Sequence, residues 1–352
     1  MSLLMMENEP KFQHLAREIY DRQFQLDFYE GITLTNCDKE NLYQGVQFCV
    51  TYLYTAYILE EPKIFEEYAR WIYQLLCPLK LEKTREQIYK MLTDHFKSIH
   101  DAMGFMKPEE KTRLDGLLHS AADALTKEYL AEGSVKQKEQ SVYEQEVEQY
   151  LELLKRSDTK GAVSLIQECI NRGISLSSVY VDIITEAMRR VGELWHQHVI
   201  TVDMEHYCTS VTQLAISQMF PIVFGHDRSV PKRMLAACAG SELHELGARM
   251  VADLFEYNGW DSVYLGAAVP SDALLSAIEE QKPDLVALSV TMPQHLPKCR
   301  EMTEEIRRRY PEVKIAVGGN AFKSTNEIWR NWSVDVYTCD ARELVAWAEH
   351  TL

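Results

Sequence analysis

A glutamate, a histidine and a glycine stand close together on a segment between a strand candidate and a helix candidate. Glu242, His244 and Gly247 form an E-x-H-x-x-G arrangement. The segment therefore offers a carboxyl group and an imidazole on one strand-to-helix loop. Two interpretations stay open, because the same residues would also suit a purely structural helix start. In that case Ser241 caps the helix and the acidic residues complement the helix dipole.

Two further motifs follow later strand candidates. Ser289 and Thr291 end one apolar run, and the pair Gly318-Gly319 ends the next. Hydroxyl groups donate and accept hydrogen bonds, and glycines allow the backbone to approach a large flat ligand closely. Because the three motifs would converge at the same ends of their strands, they predict one ligand-binding crevice.

Short β-rich runs alternate with helical segments beyond Lys232 and would position these motifs. The strand candidates are Arg233–Ala239, Asp261–Leu265, Leu285–Val290, Lys314–Val317 and Val334–Thr338. The helix candidates are His244–Tyr257, Ser271–Gln281, Pro297–Tyr310, Ser324–Asn331 and Arg342–His350. Five β-α repeats predict a doubly wound, Rossmann-like parallel sheet with helices on both faces. Such sheets bind ligands at the carboxyl ends of their strands.

Two helical regions precede the sheet. From about Phe12 to Leu130, apolar residues recur every three or four positions, which predicts an all-helical N-terminal domain. The polar stretch Glu132–Ser141 predicts a linker. Four amphipathic segments then predict a four-helix bundle: Val147–Leu154, Lys160–Arg172, Leu176–His198 and Val202–Phe224. With a helix break at Gly225–Pro231, we expect three domains, at residues 1–135, 143–226 and 232–352.

Charge and cysteine usage narrow the function classes. The chain carries 37 Lys and Arg against 53 Asp and Glu, a net charge of −16, and it has no dense basic cluster. Direct binding to nucleic acid is therefore disfavoured. Eight cysteines without a C-x-x-C pair look like reduced, buried thiols, and no window approaches the ~18 apolar residues of a membrane span. We expect a cytoplasmic protein without membrane contact.

The three loop motifs resemble the signature of cobalamin-binding domains, D/E-x-H-x-x-G, then S-x-L/T, then G-G on a flavodoxin-like sheet. The resemblance implies that His244 ligates cobalt from below in place of the corrinoid's own nucleotide base. It also implies that Glu242 hydrogen-bonds the other imidazole nitrogen and fixes the tautomer. The displaced nucleotide tail would lie in a channel lined by Gly247, Ser289, Thr291, Gly318 and Gly319.

The helical region before the sheet carries a second pattern, Trp195 followed after nine residues by Glu205-His206. This spacing looks like that of the light-sensing adenosylcobalamin regulators of the CarH type. The resemblance implies that Trp195 shields the upper axial ligand and that Glu205 and His206 pack around the adenosyl group. His196 would become the second cobalt ligand after light breaks the cobalt–carbon bond. The structural alternatives are a core Trp, an acidic helix turn and a solvated pair His196 and His198.

The N-terminal region departs from that family, whose members begin with a winged helix-turn-helix domain. Here a longer acidic helical unit stands first, and no basic recognition helix is visible. Output through a downstream regulatory protein is therefore expected, as in stand-alone cobalamin-binding antirepressors. The unit looks faintly like globin-type sensor domains that sometimes hold a bilin, on the residues Trp71, Tyr73, Cys77, His95, His100 and His119. A structural, dimerising or partner-binding domain is the stronger expectation.

Three function classes follow from these patterns. The first is a sensor, in which a change in the ligands of cobalt shifts the bundle against the sheet domain between two states. For this class we expect a homo-oligomer. The second is a corrinoid protein that carries methyl groups for a methyltransferase and needs an open upper face. The third, an isomerase subunit, would need a catalytic barrel of about 250 residues. We expect a non-enzyme, because the sequence offers no nucleophile–base pair, Walker loop or Cys/His cluster.

Overall fold

A computed structural model describes residues 10–23, 35–78, 84–131, 141–225 and 227–352. The described residues form two compact units. The first unit contains the described residues up to 131 together with residues 292–297 and 323–328. The second contains the remaining residues from 141 to the C-terminus. Except for Ser141, the linker predicted at Glu132–Ser141 lies outside the described residues.

The first unit is helical, as predicted. Its α-helices among the described residues are α1 (Pro10–Gln23), α2 (Asn36–Leu59), α3 (Pro62–Leu76), α4 (Arg85–Ala102) and α5 (Pro108–Leu130). Local sequence defines several helix starts: Thr35 and Thr84 form capping boxes before α2 and α4. Proline stands in the first turn of α3 and α5, where a missing N–H leaves no hydrogen bond unmade. Aromatic rings, among them Phe65, Tyr68 and Phe96, pack in the core.

The bundle of the second unit comprises α6 (Glu144–Lys155), α7 (Thr159–Asn171), α8 (Leu176–Ser178), α9 (Thr185–His196), α10 (Val202–Ser217) and α11 (Phe220–Val223). A π-helical segment, Val179–Ile184, joins α8 to α9. The predicted helix Leu176–His198 is therefore not regular, and it ends at His196, two residues early. His198 lies beyond the helix end with a φ of 56°.

The predicted continuous helix Val202–Phe224 is wrong. Helix α10 ends at Ser217, and the single turn α11 follows with Pro221 near its start. Pro221 has no N–H to donate to the carbonyl of Ser217, and its ring would clash with that carbonyl in a continuing helix. The chain therefore breaks and restarts.

The sheet has five parallel strands, β1 (Arg233–Cys238), β2 (Asp261–Tyr264), β3 (Leu285–Ser289), β4 (Lys314–Gly318) and β5 (Val336–Tyr337). Their order is β2-β1-β3-β4-β5, the order of flavodoxin-like sheets, which confirms the predicted fold class. The order reverses direction between β1 and β3. Because the connections after β1 and β3 leave in opposite directions there, a crevice opens at the carboxyl ends of these two strands.

Helices α12 (Leu246–Tyr257), α13 (Ser271–Gln281), α14 (Leu296–Arg309) and α15 (Ala341–Thr351) complete the repeats. Two predictions need correction. Helix α12 begins at Leu246 rather than His244, so His244 lies in the preceding loop. The predicted helix Ser324–Asn331 is two 3₁₀ turns, Asn320–Ser324 and Ile328–Asn331, separated by Glu327 at a φ of 57°. A positive φ cannot continue a right-handed helix.

Bundle and sheet share one hydrophobic core. Buried bundle residues such as Tyr180 and Ile216 belong to the same cluster as Phe255 and Trp260 of the sheet region. The Tyr180 hydroxyl donates to Asp253 Oδ2 of α12 at 2.9 Å. A common core holds bundle and sheet together, so side chains of both can line one site. Among the described helices, none combines the length and the apolar character needed to cross a membrane.

Candidate functional site

Glu242 and His244 lie together on the loop after β1, at the crevice. The Glu242 side chain is only 1% exposed, and its Oε1 accepts hydrogen bonds from His244 N at 3.0 Å and Nδ1 at 2.6 Å. The second oxygen, Oε2, accepts from the backbone N of Thr291 at 2.8 Å. One buried carboxylate thus ties the loop after β1 to the loop after β3.

This arrangement leaves one imidazole nitrogen available. With the Nδ1 proton directed to Glu242, the lone pair of His244 is on Nε2. The imidazole is 59% exposed, and Nε2 makes no hydrogen bond to any residue that the structure describes. The hydrogen bond to Glu242 raises the pKa of His244, and the negative charges of Glu242 and Glu205 add to the effect. His244 is therefore an oriented, basic ring with one free electron pair.

The backbone of the loop explains why His244 is not helical. Gly240 turns the chain after β1 with a φ of 63°, a conformation that suits glycine. The carbonyl of Glu242 then accepts from Ala268 N at 2.9 Å. Helix α12 has Glu245, not Ser241, at its N-cap position, and no side chain caps its amides. The predicted cap by Ser241 is therefore wrong, while an acidic residue, Glu245, does stand at the start of the helix.

The other predicted sheet residues lie at the same edge. Ser289 ends β3 in register with Gly318 of β4, and the hydroxyls of Ser289 and Thr291 make no hydrogen bonds within the described part of the chain. Gly247, in the first turn of α12, has open space where a Cβ would stand. These groups are available to a ligand.

Glycine is needed at positions 318 and 319 for a second reason, which the sequence does not reveal. A Cβ on Gly318 would lie 2.8 Å from the carbonyl oxygen of Thr338. Gly319 has a φ of 100°, and a Cβ there would overlap the carbonyl of Val290. Neighbouring backbone alone therefore requires glycine at both positions, and the expected approach of a ligand stays a prediction.

The predicted bundle residues lie on two consecutive helices. Trp195 and His196 are in the last turn of α9, both half-buried, and the Trp195 indole makes no hydrogen bond or ring contact with described residues. Glu205 and His206 are in the first turn of α10, where Glu205 Oε2 contacts His206 Nδ1 at 2.7 Å. Glu205 also accepts from the Thr209 hydroxyl at 3.0 Å. The negative charge of Glu205 contributes to the raised pKa of His244.

Glu245 was missed by the sequence analysis. Its Oε1 accepts from Gln213 Nε2 of α10 at 2.7 Å, and its Oε2 accepts from the Tyr264 hydroxyl at 2.9 Å. The two partners of Glu245 lie far from it in the sequence. Only its position directly after His244 could have indicated that it belongs to the site.

Comparison with known proteins identifies this architecture. Two family models, both described as B12 binding domains, match residues 146–219 and 232–343. The chain is 26% identical over 148 residues to the HTH-type transcriptional repressor CarH of Myxococcus xanthus, covering 42% of this chain and 48% of that protein. It is 26% identical over 83 residues to the methanol–corrinoid protein of Methanosarcina barkeri, covering 24% of this chain and 32% of that protein.

A solved structure supports the fold. The monomethylamine corrinoid protein of Methanosarcina barkeri aligns with a TM-score of 0.53 and 16% identity, over 59% of this chain and 99% of that chain. The matches to the two curated relatives span half or less of those proteins' lengths. Residues 146–219 and 232–343 are B12-binding domains, and the chain belongs to the family of cobalamin-binding proteins that includes the CarH-type regulators.

Proposed function

We propose that this chain is a light sensor that holds adenosylcobalamin between the bundle (α6–α11) and the sheet and signals through a partner protein. The observation that carries the proposal is the pairing of buried Glu242 with exposed His244 at the crevice. Within the described residues, no cluster of three or more His, Cys, Asp or Glu side chains could hold a bare metal ion. A single imidazole with a free Nε2 fits a metal that brings its other ligands with a cofactor.

The residues of the lower face divide the work of binding. Glu242 keeps the His244 proton on Nδ1, so that Nε2 is free to ligate cobalt. Because Glu242 also binds the Thr291 amide, it holds the His244 ring in a fixed position relative to the loop after β3. The hydroxyls of Ser289 and Thr291, which make no hydrogen bond among the described residues, and the open space at Gly247 would receive the nucleotide tail.

The bundle residues would form the upper face. When bound, adenosylcobalamin supplies a cobalt–carbon bond that light breaks. Trp195 offers a half-buried indole without a hydrogen-bond or ring partner among the described residues, which suits the cover of a bulky upper ligand. Glu205 and His206 offer polar atoms to a nucleoside. His196 stands beside Trp195 at the end of α9 and is our candidate for the upper cobalt ligand in the lit state.

A methyl-carrying corrinoid protein is the second candidate. The match to the methanol–corrinoid protein and the corrinoid-protein fold favour it. A carrier needs an upper face that is open to a methyl donor and to an acceptor protein. Trp195 and the pair Glu205-His206 argue instead for a large upper ligand, and the match to a transcriptional repressor supports a regulatory role.

The helical first unit would supply the output. We assign it to partner binding or dimerisation, and we keep a bilin as its alternative ligand. Burial lowers the pKa of His95 to about 4, so this ring is neutral at physiological pH. Production of the protein in cells that make a bilin tests this alternative. A bound bilin would add long-wavelength visible absorption, and its absence would leave the partner-binding assignment.

The test of the leading function is an absorption spectrum of the protein reconstituted with adenosylcobalamin, recorded before and after green illumination. We expect a spectral change that persists in the dark. The Trp195→Ala variant should bind the cofactor but lose the discrimination in favour of the adenosyl form over methylcobalamin. A spectrum that light leaves unchanged, together with methyl transfer from bound methylcobalamin to an acceptor, would support the carrier instead.

A further inference from the structure

Glu245 connects the bundle to the loop that carries His244. It follows His244 directly in the chain, and its carboxylate accepts from Gln213 Nε2 at 2.7 Å and from the Tyr264 hydroxyl at 2.9 Å. Gln213 belongs to α10 of the bundle, and Tyr264 ends β2 of the sheet. One carboxylate thus joins the two parts on either side of the crevice.

The side chain of Glu245 serves the bundle contact and not the helix start. Short side chains such as Ser, Thr, Asp and Asn cap a helix by accepting from the free amides of its first turn, and Glu is not among the preferred capping residues. The Glu245 side chain makes no such cap bond to α12 and extends to the bundle instead. Its backbone carbonyl still accepts from Arg249 N, so the residue belongs to the helix start while its side chain belongs to the bundle contact.

Helix α10 carries both Gln213 and the upper-face acid Glu205. The two residues are eight positions apart, which corresponds to about 12 Å along a helix axis. A shift of α10 that changes the surroundings of Glu205 therefore also moves Gln213, because a helix moves as a rigid rod. Gln213 would pull on Glu245, and a single peptide bond separates Glu245 from His244.

Two other polar contacts join the bundle to the sheet region away from this loop. The Tyr180 hydroxyl donates to Asp253, which lies two turns further along α12. Arg342 of α15 donates to Asp182 at 2.9 Å. Neither contact involves a neighbour of His244, so they hold the two parts together without addressing the cobalt-binding loop.

We propose that Glu245 is a positioning residue that couples helix α10 to His244, so that movement of the bundle changes the placement of the lower ligand. This inference rests on the proposed function, since it takes His244 as the cobalt ligand. It assigns to Glu245 a role separate from that of Glu242, which orients the ring.

Exchange of the hydrogen-bonding partners tests the coupling. Gln213→Glu opposes two carboxylates, and Glu245→Ala removes the acceptor. The double variant Glu245→Gln with Gln213→Glu restores the contact with donor and acceptor reversed, because the new amide can donate to residue 213 and still accept from Tyr264. Tyr180→Phe is the matched control, since it removes one bundle-to-sheet hydrogen bond and leaves Glu245 intact.

The first readout is amide hydrogen exchange of residues 239–246 in the cobalamin-free protein. We expect exchange about tenfold faster in Gln213→Glu and Glu245→Ala, as for loss of a hydrogen bond to a charged group, and near wild-type exchange in the double variant and in Tyr180→Phe. Equal exchange in Gln213→Glu and wild type, no recovery in the double variant, or the same acceleration in Tyr180→Phe would overturn the proposal.

The second readout is electron paramagnetic resonance of the cobalt(II) form, which reports nitrogen ligation below the metal. We expect a mixture of ligated and unligated cobalt in Gln213→Glu and full ligation in the double variant. If wild-type protein itself shows no protein nitrogen on cobalt, the proposed function fails, and the exchange experiment still decides on the coupling.

Discussion

Replacement of Glu242 by glutamine tests the central contact of the site. The wild-type carboxylate accepts from the amide and Nδ1 of His244 at Oε1 and from the Thr291 amide at Oε2. An amide offers one acceptor oxygen, so its NH₂ group must face a donor. At least one hydrogen bond is lost and a donor is buried without a partner, which costs about 1.5–3 kcal/mol of unfolding free energy. Loss of the partner to a metal-ligating histidine should also weaken cobalamin binding about 10–100-fold.

The pH dependence of this difference follows from His244. Its pKa is raised from 6.5, first by the hydrogen bond to Glu242. A raised pKa stabilises the folded protein fully below the unfolded value, and the contribution disappears as pH rises through the folded pKa. Glu242→Gln lowers that pKa. The difference in stability between wild type and variant should therefore be larger at a pH of about 6 than at about 9.

Urea unfolding of the cobalamin-free protein and nuclear magnetic resonance titration of the His244 ring measure both effects. Glu279→Gln is the matched control, because it makes the same charge change at an exposed position of α13. An unfolding free energy for Glu242→Gln equal to that of Glu279→Gln, with an unchanged His244 pKa, would refute the reasoning.

Four further predictions address other residues and the assembly of the chain. Gly319→Ala should destabilise the protein by at least about 1–3 kcal/mol, because alanine at a φ of 100° is strained and its Cβ overlaps the Val290 carbonyl. Equal thermal stability of Gly319→Ala and wild type would contradict this prediction. Gly247→Ala should leave the stability of the protein equal or higher and weaken cobalamin binding. After illumination, His196→Ala should lose a bis-imidazole cobalt spectrum and His198→Ala should keep it; the reverse pattern would make His198 the ligand. Dark and illuminated protein should elute at different volumes in size-exclusion chromatography, because light changes the oligomeric state. Identical elution would contradict light-dependent assembly.

The sheet was predictable because its strands are short, β-rich runs bounded by polar turns, and three of them, β1, β3 and β4, are mainly buried. β1, β2, β3 and β4 each begin at the predicted residue. The ends of helices were harder. Nothing in local periodicity shows that Glu242 binds the His244 amide in a loop that precedes α12. The break after Ser217 was readable from Pro221, but the apolar pattern on either side of it continues as in a helix.

Of the candidate site, the hydrogen bond between Glu242 and His244 was predicted, because the family resemblance implied it for two residues of one short motif. The site was not predictable where contacts cross between elements. The bond between Gln213 and Glu245 joins residues 32 positions apart on a helix and a loop, and no spacing rule connects them. The glycine pair shows a different limit. The two adjacent glycines stand out in the sequence. The backbone of Thr338 and Val290, which requires glycine at both positions, comes close only in the folded structure.

Electron paramagnetic resonance of the cobalt(II) form in protein labelled with nitrogen-15 histidine tests the central claim most directly. A nitrogen-14 ligand splits each cobalt line into three and a nitrogen-15 ligand into two, so the label tells a protein imidazole from the cofactor's own base. We predict two-line splitting in labelled wild-type protein, three-line splitting in unlabelled protein, and no effect of the label in His244→Ala. Splitting in wild-type protein that does not respond to the label would contradict cobalt ligation by His244.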